Sequence, residues 1–249
     1  TATTRVGIHE YTFNKGGNSN VILDLAHRDQ LLKDSIHFVG NNEVEGIRVS
    51  SAWASEQHIY FVAQFSKECK SHILDSTGTR AAFTFDTKPH EKIVVRLGIS
   101  ATSIEGARKN LEEEAVHWNF DKYLGEAKAT WETALSKIEI EDEDKDKKSI
   151  FYTALYHSMI APNTFSDVDG NYRGMDHKIH ESDETTYTVF SLWDTFRAAH
   201  PLYTIIEQKK TNEFINTFLN QYQQGGELPI WELAANYTGC MIGYHSVPV

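Results

Sequence analysis

The chain has 249 residues, 40% of them hydrophobic, and a formal net charge of −11. This composition suffices for a buried core and excludes an intrinsically disordered chain. The negative charge argues against a nucleic-acid partner, which requires a basic surface, and fits a neutral substrate. No apolar run is long enough to predict a membrane span. Cys69 and Cys240 do not make a disulfide framework, so we expect free, buried thiols.

The first hundred residues have the two-residue hydrophobic period of β-strands. Apolar side chains alternate along 59–65 and again along 93–99, and 21–25 and 47–50 are further candidates. Gly- and Asn-rich turn sequences separate these segments. The pattern predicts that residues 1–103 form part of an antiparallel β-sandwich.

After Ser103 the hydrophobic period changes to that of helices. Two helical faces are predicted, Ala107-Leu111-Ala115-Trp118 and Leu124-Ala127-Trp131-Leu135-Ile138. The mixed charge run at 139–148 predicts a solvated loop that leads into the next helix. We therefore expect a helical linker over 104–146 and a separate helical region over 147–249. The predicted class of the whole chain is α+β.

Within 147–249 the sequence predicts a helix from Ser149 to Pro162, which stops it, and then a small hairpin. Helices are expected again over Thr195–Ile206 and Thr211–Gln223. Pro201 should kink the first of these or change the geometry of its opening turns. Gly225 and Gly226 should end the second.

Two near-motifs for metals carry little weight. The sequence D-V-D-G-N at 167–171 resembles part of a calcium loop but lacks the full ligand spacing and the bidentate Glu, so a turn is favoured. His177 and His180 are three residues apart in a predicted strand or loop, without a third ligand, so zinc is not expected. We predict no metal site in this chain.

The segment S-L-W-D-T-F-R at 191–197 carries the strongest functional signal. Trp193, Asp194 and Arg197 combine a flat apolar ring with charged bidentate groups, which is what a sugar site needs. The alternative is purely structural: Asp194 caps a helix, Arg197 forms a local ion pair with it and Trp193 is core.

Two later segments add candidates. In G-E-L-P-I-W-E at 226–232, Trp231 either stacks on a sugar or packs beneath its loop, and Glu227 and Glu232 are weak candidates for a general acid. In M-I-G-Y-H at 241–245, His245 is either structural or a substrate contact. The candidate substrate-binding residues are thus Trp193, Asp194, Arg197, Trp231 and His245, and no catalytic residue is assigned.

These segments resemble glycoside hydrolase family 92, the calcium-dependent exo-acting α-mannosidases. The W-D-T-F-R segment is similar to one of that family, and further matching segments follow the family's order along essentially the whole chain. They are G-I-S at 98–100, S-I-E-G-A-R-K-N-L at 103–111, F-Y-T-A-L-Y-H-S at 151–158, D-G-N-Y-R-G-M-D at 169–176 and M-I-G-Y-H at 241–245.

The resemblance implies a β-sandwich, a helical linker and the first helices of an (α/α)6 barrel. It also implies inverting hydrolysis of terminal α-linked mannose, with α-1,2 linkages expected, from mannans or N-glycans. The family's acid, in a G-N-E-P string, its base, in a G-N-D-D-x-G string, and its calcium ligands have no match in this chain. Calcium is therefore expected in the full-length enzyme and not in this chain.

Residues 1–5 have neither the basic start nor the apolar stretch of a signal peptide, and the first residue is not Met. We expect a truncated chain of a periplasmic or secreted protein, catalytically inert by itself. Its incomplete barrel should leave Phe214, Phe218 and Tyr222 exposed and promote self-association. The alternatives are a non-catalytic carbohydrate-binding or scaffold fragment and a six-hairpin glycosidase of another linkage.

Overall fold

The computed structural model describes residues 1–249, and its first hundred residues are almost entirely β-structure. Eight strands follow one another without an intervening helix. They are β1 (Val6–Phe13), β2 (Gly17–Asp24), β3 (Gln30–Val39), β4 (Glu43–Ser51), β5 (Gln57–Phe65), β6 (Ser71–Leu74), β7 (Arg80–Thr87) and β8 (Glu91–Ser100). The two alternating segments lie in β5 and β8, and the further candidates 21–25 and 47–50 lie in β2, except for Leu25, and in β4, so these strand predictions are confirmed.

The strands form two antiparallel sheets that pack face to face. One sheet has the order β1-β8-β5-β4-β3 and the other the order β2-β7-β6. Alternate side chains fill the layer between them, with Phe61, Phe83, Phe85 and Ile93 all at most 4% exposed. The predicted antiparallel sandwich is therefore confirmed, and its core follows directly from the alternation.

Helix α1 (Ile104–Glu114) covers the outer face of the five-stranded sheet. Ala107 and Leu111 pack there against strand residues such as Val62. Gly98 permits this close approach, because a Cβ at that position would lie 2.5 Å from the carbonyl oxygen of Ala107. Both faces of the sheet are thus buried where the helix lies.

The predicted face of the first helix is too long. Helix α1 ends at Glu114, so Ala115 is its C-cap residue and Trp118 lies beyond it. The indole of Trp118 instead packs against the guanidinium of Arg96, 3.8 Å from the ring centroid. The apolar spacing continued past the helix because a cation–π contact, and not a helix face, uses Trp118.

Helices α2 (Phe120–Leu135) and α3 (Lys145–Ser158) follow. Helix α3 begins inside the charge run that was predicted as a loop, and it ends before Pro162. The carboxylate of Asp144 accepts hydrogen bonds from the backbone N–H groups of Asp146 and Lys147, so it caps the helix within that run. The predicted boundaries were therefore wrong by about one turn at each end.

The rest of the chain combines short strands with three helices. The strands are β9 (Asn163–Thr164), β10 (Asn171–Arg173), β11 (Ile179–Glu181), β12 (Tyr187–Thr188), β13 (Phe190–Ser191), β14 (Trp231–Leu233) and β15 (Asn236–Tyr237). The helices are α4 (Leu192–Thr195), α5 (Ala199–Ile206) and α6 (Gln208–Gly225).

The helix predicted over Thr195–Ile206 is interrupted. Helix α4 ends at Thr195 and α5 begins only at Ala199, so the predicted start was too early. Pro201 lies in the first turn of α5, where a missing N–H costs no helical hydrogen bond. Helix α6 ends as predicted, with Gly226 in the left-handed conformation at φ 84°. No helix is long and apolar enough to cross a membrane.

A cluster of aromatic residues holds this region together. Phe214 and Phe218 are only 4% and 3% exposed, because Tyr187, Phe190 and Tyr203 cover them. The expectation that both phenyl rings would be exposed was therefore wrong. Tyr222, on the other side of α6, is 53% exposed, as expected.

Candidate substrate-binding site

A buried anchor sets the orientation of the segment 190–197. Phe190 and Leu192 are 1% and 0% exposed within the aromatic cluster, and the N–H of Leu192 donates to the carbonyl of Ile230 at 2.9 Å. The apolar side chains on either side of Ser191 thus fix the backbone. Asp194, two residues further on, is exposed to solvent as a consequence.

Asp194 is not the N-cap of α4, although it lies in the first turn of that helix as the structural alternative supposed. It is the third residue of α4, whose N-cap is Ser191, and its carboxylate accepts a hydrogen bond from the Ser191 hydroxyl. No ion pair joins it to Arg197, whose exposed guanidinium lies 5.1 Å from the centroid of the Phe196 ring. The Asp194 carboxylate therefore keeps acceptor capacity that faces solvent.

His245 lies beside this segment. Its ring centroid is 4.8 Å from that of Trp193 and 4.5 Å from that of Phe196. Gly243, at φ 110°, permits this arrangement, because a Cβ there would lie 2.5 Å from the His245 ring. The structure therefore brings together Trp193 and His245, which are far apart in sequence, next to Asp194.

Trp231 lies on the neighbouring strand. It is the partner of Ser191 in the pairing of β13 with β14, and its indole is half-buried. The indole of Trp53 meets it edge to face, with ring centroids 5.1 Å apart and an interplanar angle of 69°. Trp53 belongs to the loop between β4 and β5 and is 61% exposed.

Trp53 is not among the candidate residues that the sequence predicted for the site. A tryptophan among small residues, in the segment S-S-A-W-A-S at 50–55 that leads out of β4, was the available signal. A second missed residue, Asn236 in β15, anchors this loop. Its side-chain oxygen accepts hydrogen bonds from the Ser55 hydroxyl at 2.9 Å and the Glu56 N–H at 3.1 Å.

Glu227 and Glu232, the two candidates for a general acid, lie in different environments. Glu227 is exposed and makes no hydrogen bond. Glu232 is 1% exposed, and burial raises its pKa to about 7, as is useful in a general acid. Its carboxylate, however, is fully occupied by protein hydrogen-bond donors and has no access to a substrate.

The near-motifs for metals have structural roles. Asp167 is buried and accepts hydrogen bonds from Ser100, Thr102 and Asn110 at 2.5–2.7 Å. His180 pairs with Asp176 at 2.9 Å. No group of three or more His, Cys, Asp or Glu side chains is placed to hold a metal ion. The residues of this chain by themselves do not fit a calcium site, so we assign no step to the ion.

Two family models divide the chain between them. The glycosyl hydrolase family 92 N-terminal domain matches residues 1–100, and the glycosyl hydrolase family 92 catalytic domain matches residues 106–249. The chain belongs to glycosyl hydrolase family 92. The resemblance seen in its motifs is therefore confirmed, although no curated protein matches it.

Solved structures of family 92 enzymes are similar over nearly the whole chain. The α-mannosidase BT3965 from Bacteroides thetaiotaomicron superimposes with a TM-score of 0.92 at 32% identity, over 99% of this chain and 36% of that one. Its mannoimidazole complex gives a TM-score of 0.91 at the same identity and coverage. The inverting mannosidase BT2199 from the same organism gives 0.89 at 26% identity, over 99% and 35% of the two chains. The chain thus spans about a third of the length of these family 92 relatives.

Proposed function

We propose that these residues form part of the active site of an exo-acting α-mannosidase, which hydrolyses terminal α-linked mannose with inversion. The observation that carries this proposal is the exposed Asp194 carboxylate beside Trp193 and His245 in a family 92 chain. A relative of similar structure has been solved with mannoimidazole.

The chemistry of Asp194 suits a sugar. A carboxylate accepts hydrogen bonds from two adjacent hydroxyl groups, and a sugar of the wrong stereochemistry leaves one of its oxygen atoms unpaired. Discrimination by unpaired polar groups in a site is strong, on the order of 10⁴-fold in favourable cases. In our proposal Asp194 therefore selects the hydroxyl stereochemistry of mannose.

The aromatic residues suit the rest of the substrate. The exposed indole of Trp53 and the half-buried indoles of Trp193 and Trp231 offer apolar surface to the C–H face of a sugar ring. The guanidinium of Arg197, without an acidic partner, is available to a hydroxyl or ring oxygen. Because Trp53 and Trp231 lie side by side at the edge of the site, they would favour binding of a glycan chain end with at least two sugars over binding of a single sugar.

Inversion needs two further carboxyl groups, one acting as acid and one as base, roughly 6.5–9.5 Å apart. We assign neither to these 249 residues, because no string in them matches those of the family. The acid, the base and the calcium implied by the resemblance belong, in this proposal, to the whole protein. Terminal α-1,2-linked mannose of mannans or N-glycans is the proposed substrate, and the periplasm or cell exterior the proposed location.

The test uses the native polypeptide that contains these residues. Proton NMR of α-1,2-, α-1,3- and α-1,6-mannobiose should show β-mannose as the first product, with the α-1,2 substrate fastest and EDTA abolishing the reaction. First formation of α-mannose would contradict inversion, and a faster α-1,3 or α-1,6 substrate would contradict the linkage. Binding of mannobiose without any cleavage would favour the alternative, a carbohydrate-binding protein.

A further inference from the structure

Glu232 is a buried acid that no part of the proposed reaction uses. Its Oε1 accepts hydrogen bonds from the Thr188 hydroxyl at 2.8 Å and the Ala235 N–H at 2.7 Å. Its Oε2 accepts hydrogen bonds from the Val189 N–H and from the same Thr188 hydroxyl, both at 3.1 Å. Every partner is a donor, so the side chain is matched as an acceptor to its surroundings.

The backbone around this carboxylate is held in a conformation that it would not adopt by itself. Val189 and Ala235, the two residues whose N–H groups donate to Glu232, have φ values of 68° and 64°. Left-handed φ is unfavourable for a residue with a Cβ, above all for a β-branched valine, and persists only where the surroundings impose it. The carboxylate bonds directly to both strained peptides.

These contacts join the two segments of the candidate site. Val189 lies between β12 and β13, just before the segment that carries Asp194, and Glu232 follows Trp231 in β14. Thr188 strengthens the connection, because its hydroxyl donates to Glu232 and accepts from the Ala234 N–H at 2.7 Å. The carboxylate thus bonds to the backbone on either side of the candidate site.

The same connection extends to the sandwich. Ala235 precedes Asn236, whose amide group donates to the carbonyl of Glu56 at 3.1 Å and accepts from Ser55. These residues end the loop that carries Trp53. The conformation of the hairpin formed by β14 and β15 therefore sets where Trp53 meets Trp231.

We propose that Glu232 is a positioning residue of the substrate site, whose buried carboxylate holds Trp231 in place relative to both Asp194 and Trp53. The proposal rests on the proposed function for its kinetic consequence only. The geometry of the Trp53–Trp231 pair can be measured without any substrate.

The experiment compares three variants of the native polypeptide. Glu232→Ala removes all the acceptors. Glu232→Gln keeps the shape and one carbonyl oxygen, but turns an NH2 group towards a donor. Glu227→Gln, an exposed acid of the same loop, is the matched control. Circular dichroism spectra are recorded for each protein with and without a further Trp53→Phe substitution. The difference between the two spectra is the exciton signal of the Trp53–Trp231 pair.

We expect a full exciton signal in the wild type and in Glu227→Gln, a reduced one in Glu232→Gln and none in folded Glu232→Ala. The kcat/KM for α-mannobiose should fall by about 100-fold in Glu232→Ala and about 10-fold in Glu232→Gln, mainly through KM, because the substrate contacts are misplaced.

A full exciton signal and an unchanged KM in folded Glu232→Ala would overturn the proposal, and would leave Glu232 a residue of stability alone. If Glu232→Ala does not fold, the same two results in Glu232→Gln overturn it. A wild type that cleaves no mannoside would refute the proposed function, but the exciton comparison would still decide the role of Glu232.

Discussion

The indole rings of Trp53 and Trp231 meet edge to face at 5.1 Å, one from a loop of the sandwich and the other from a strand of the helical region. The candidate site is therefore built from both parts of the chain. The sandwich contributes directly to the candidate site, because its loop adds the exposed side chain of Trp53.

This pair leads to the first prediction. Trp53→Ala should cost less than about 1 kcal/mol of unfolding free energy, since the indole is mostly exposed. It should nevertheless raise KM for α-mannobiose about 10-fold through loss of a stacking surface. Trp131→Ala, a partly exposed tryptophan in α2 that packs on Tyr156, is the control and should leave KM unchanged. An unchanged KM in Trp53→Ala would show that the sandwich loop does not contribute to substrate binding.

The second prediction concerns the buried Asp167. Gly106 lies so close that a Cβ there would be 2.4 Å from its carboxylate, and the carboxylate accepts three side-chain hydrogen bonds. Asp167→Ala leaves buried donors unpaired and should cost about 3 kcal/mol of unfolding free energy in a denaturant titration. Asp169→Ala breaks the ion pair with Lys109 and one hydrogen bond from the Asn171 N–H at 3.2 Å, and should cost about 1 kcal/mol. Equal costs for the two variants would contradict the role given to Asp167.

The third prediction is a pair of opposite pH dependences. Burial raises the pKa of Glu232 to about 7, so its contribution to the unfolding free energy falls as the pH rises from about 4.5 to about 7. Burial lowers the pKa of His200 to about 4, so its contribution grows as the pH rises from about 4 to about 6.5. Each amounts to about 3 kcal/mol, and the two contributions have opposite signs in the wild type.

Single substitutions separate these contributions. In Glu232→Gln the unfolding free energy should rise between pH 4.5 and 6.5, because His200 remains. In His200→Phe it should fall over the same range, because Glu232 remains. Denaturant titrations at several pH values give both slopes. Slopes of the same sign in the two variants would show that one of these pKa directions is wrong.

The fourth prediction concerns these 249 residues expressed by themselves. With calcium and α-mannobiose they should release no mannose, because no residue in them is assigned as acid or base. They should also self-associate in size-exclusion chromatography with light scattering, since Ile205, Tyr222 and Tyr244 are 74%, 53% and 84% exposed. EDTA-sensitive release would contradict the absence of an acid and a base from these residues, and a monodisperse monomer would contradict the self-association.

Much of the fold could be predicted from local patterns. The alternation along 59–65 and 93–99 identified strands because successive side chains of a strand point to opposite faces of the sheet. Helix α3 was displaced because a capping interaction at Asp144 outweighed the charge run as a loop signal. Phe214 and Phe218 were misjudged because their coverage comes from residues distant in sequence.

The site could be predicted only in part. Trp193, Asp194 and Trp231 stood out by residue type and spacing. Trp53 and the buried role of Glu232 did not, because both depend on the packing of one hairpin against a loop of another domain. Strain at Val189 is likewise invisible in the sequence, where valine gives no sign of a positive φ.

The most direct test of the account is the kinetics of Asp194→Asn in the native polypeptide. The substitution keeps the volume and the contact with Ser191, and Asp194 is exposed, so stability should change by less than about 1 kcal/mol. Loss of the charged acceptor should lower kcat/KM for α-mannobiose by on the order of 10²–10³-fold, while Glu143→Gln, in an exposed loop, should leave it unchanged. Full activity in Asp194→Asn would show that this carboxylate does not hold the substrate.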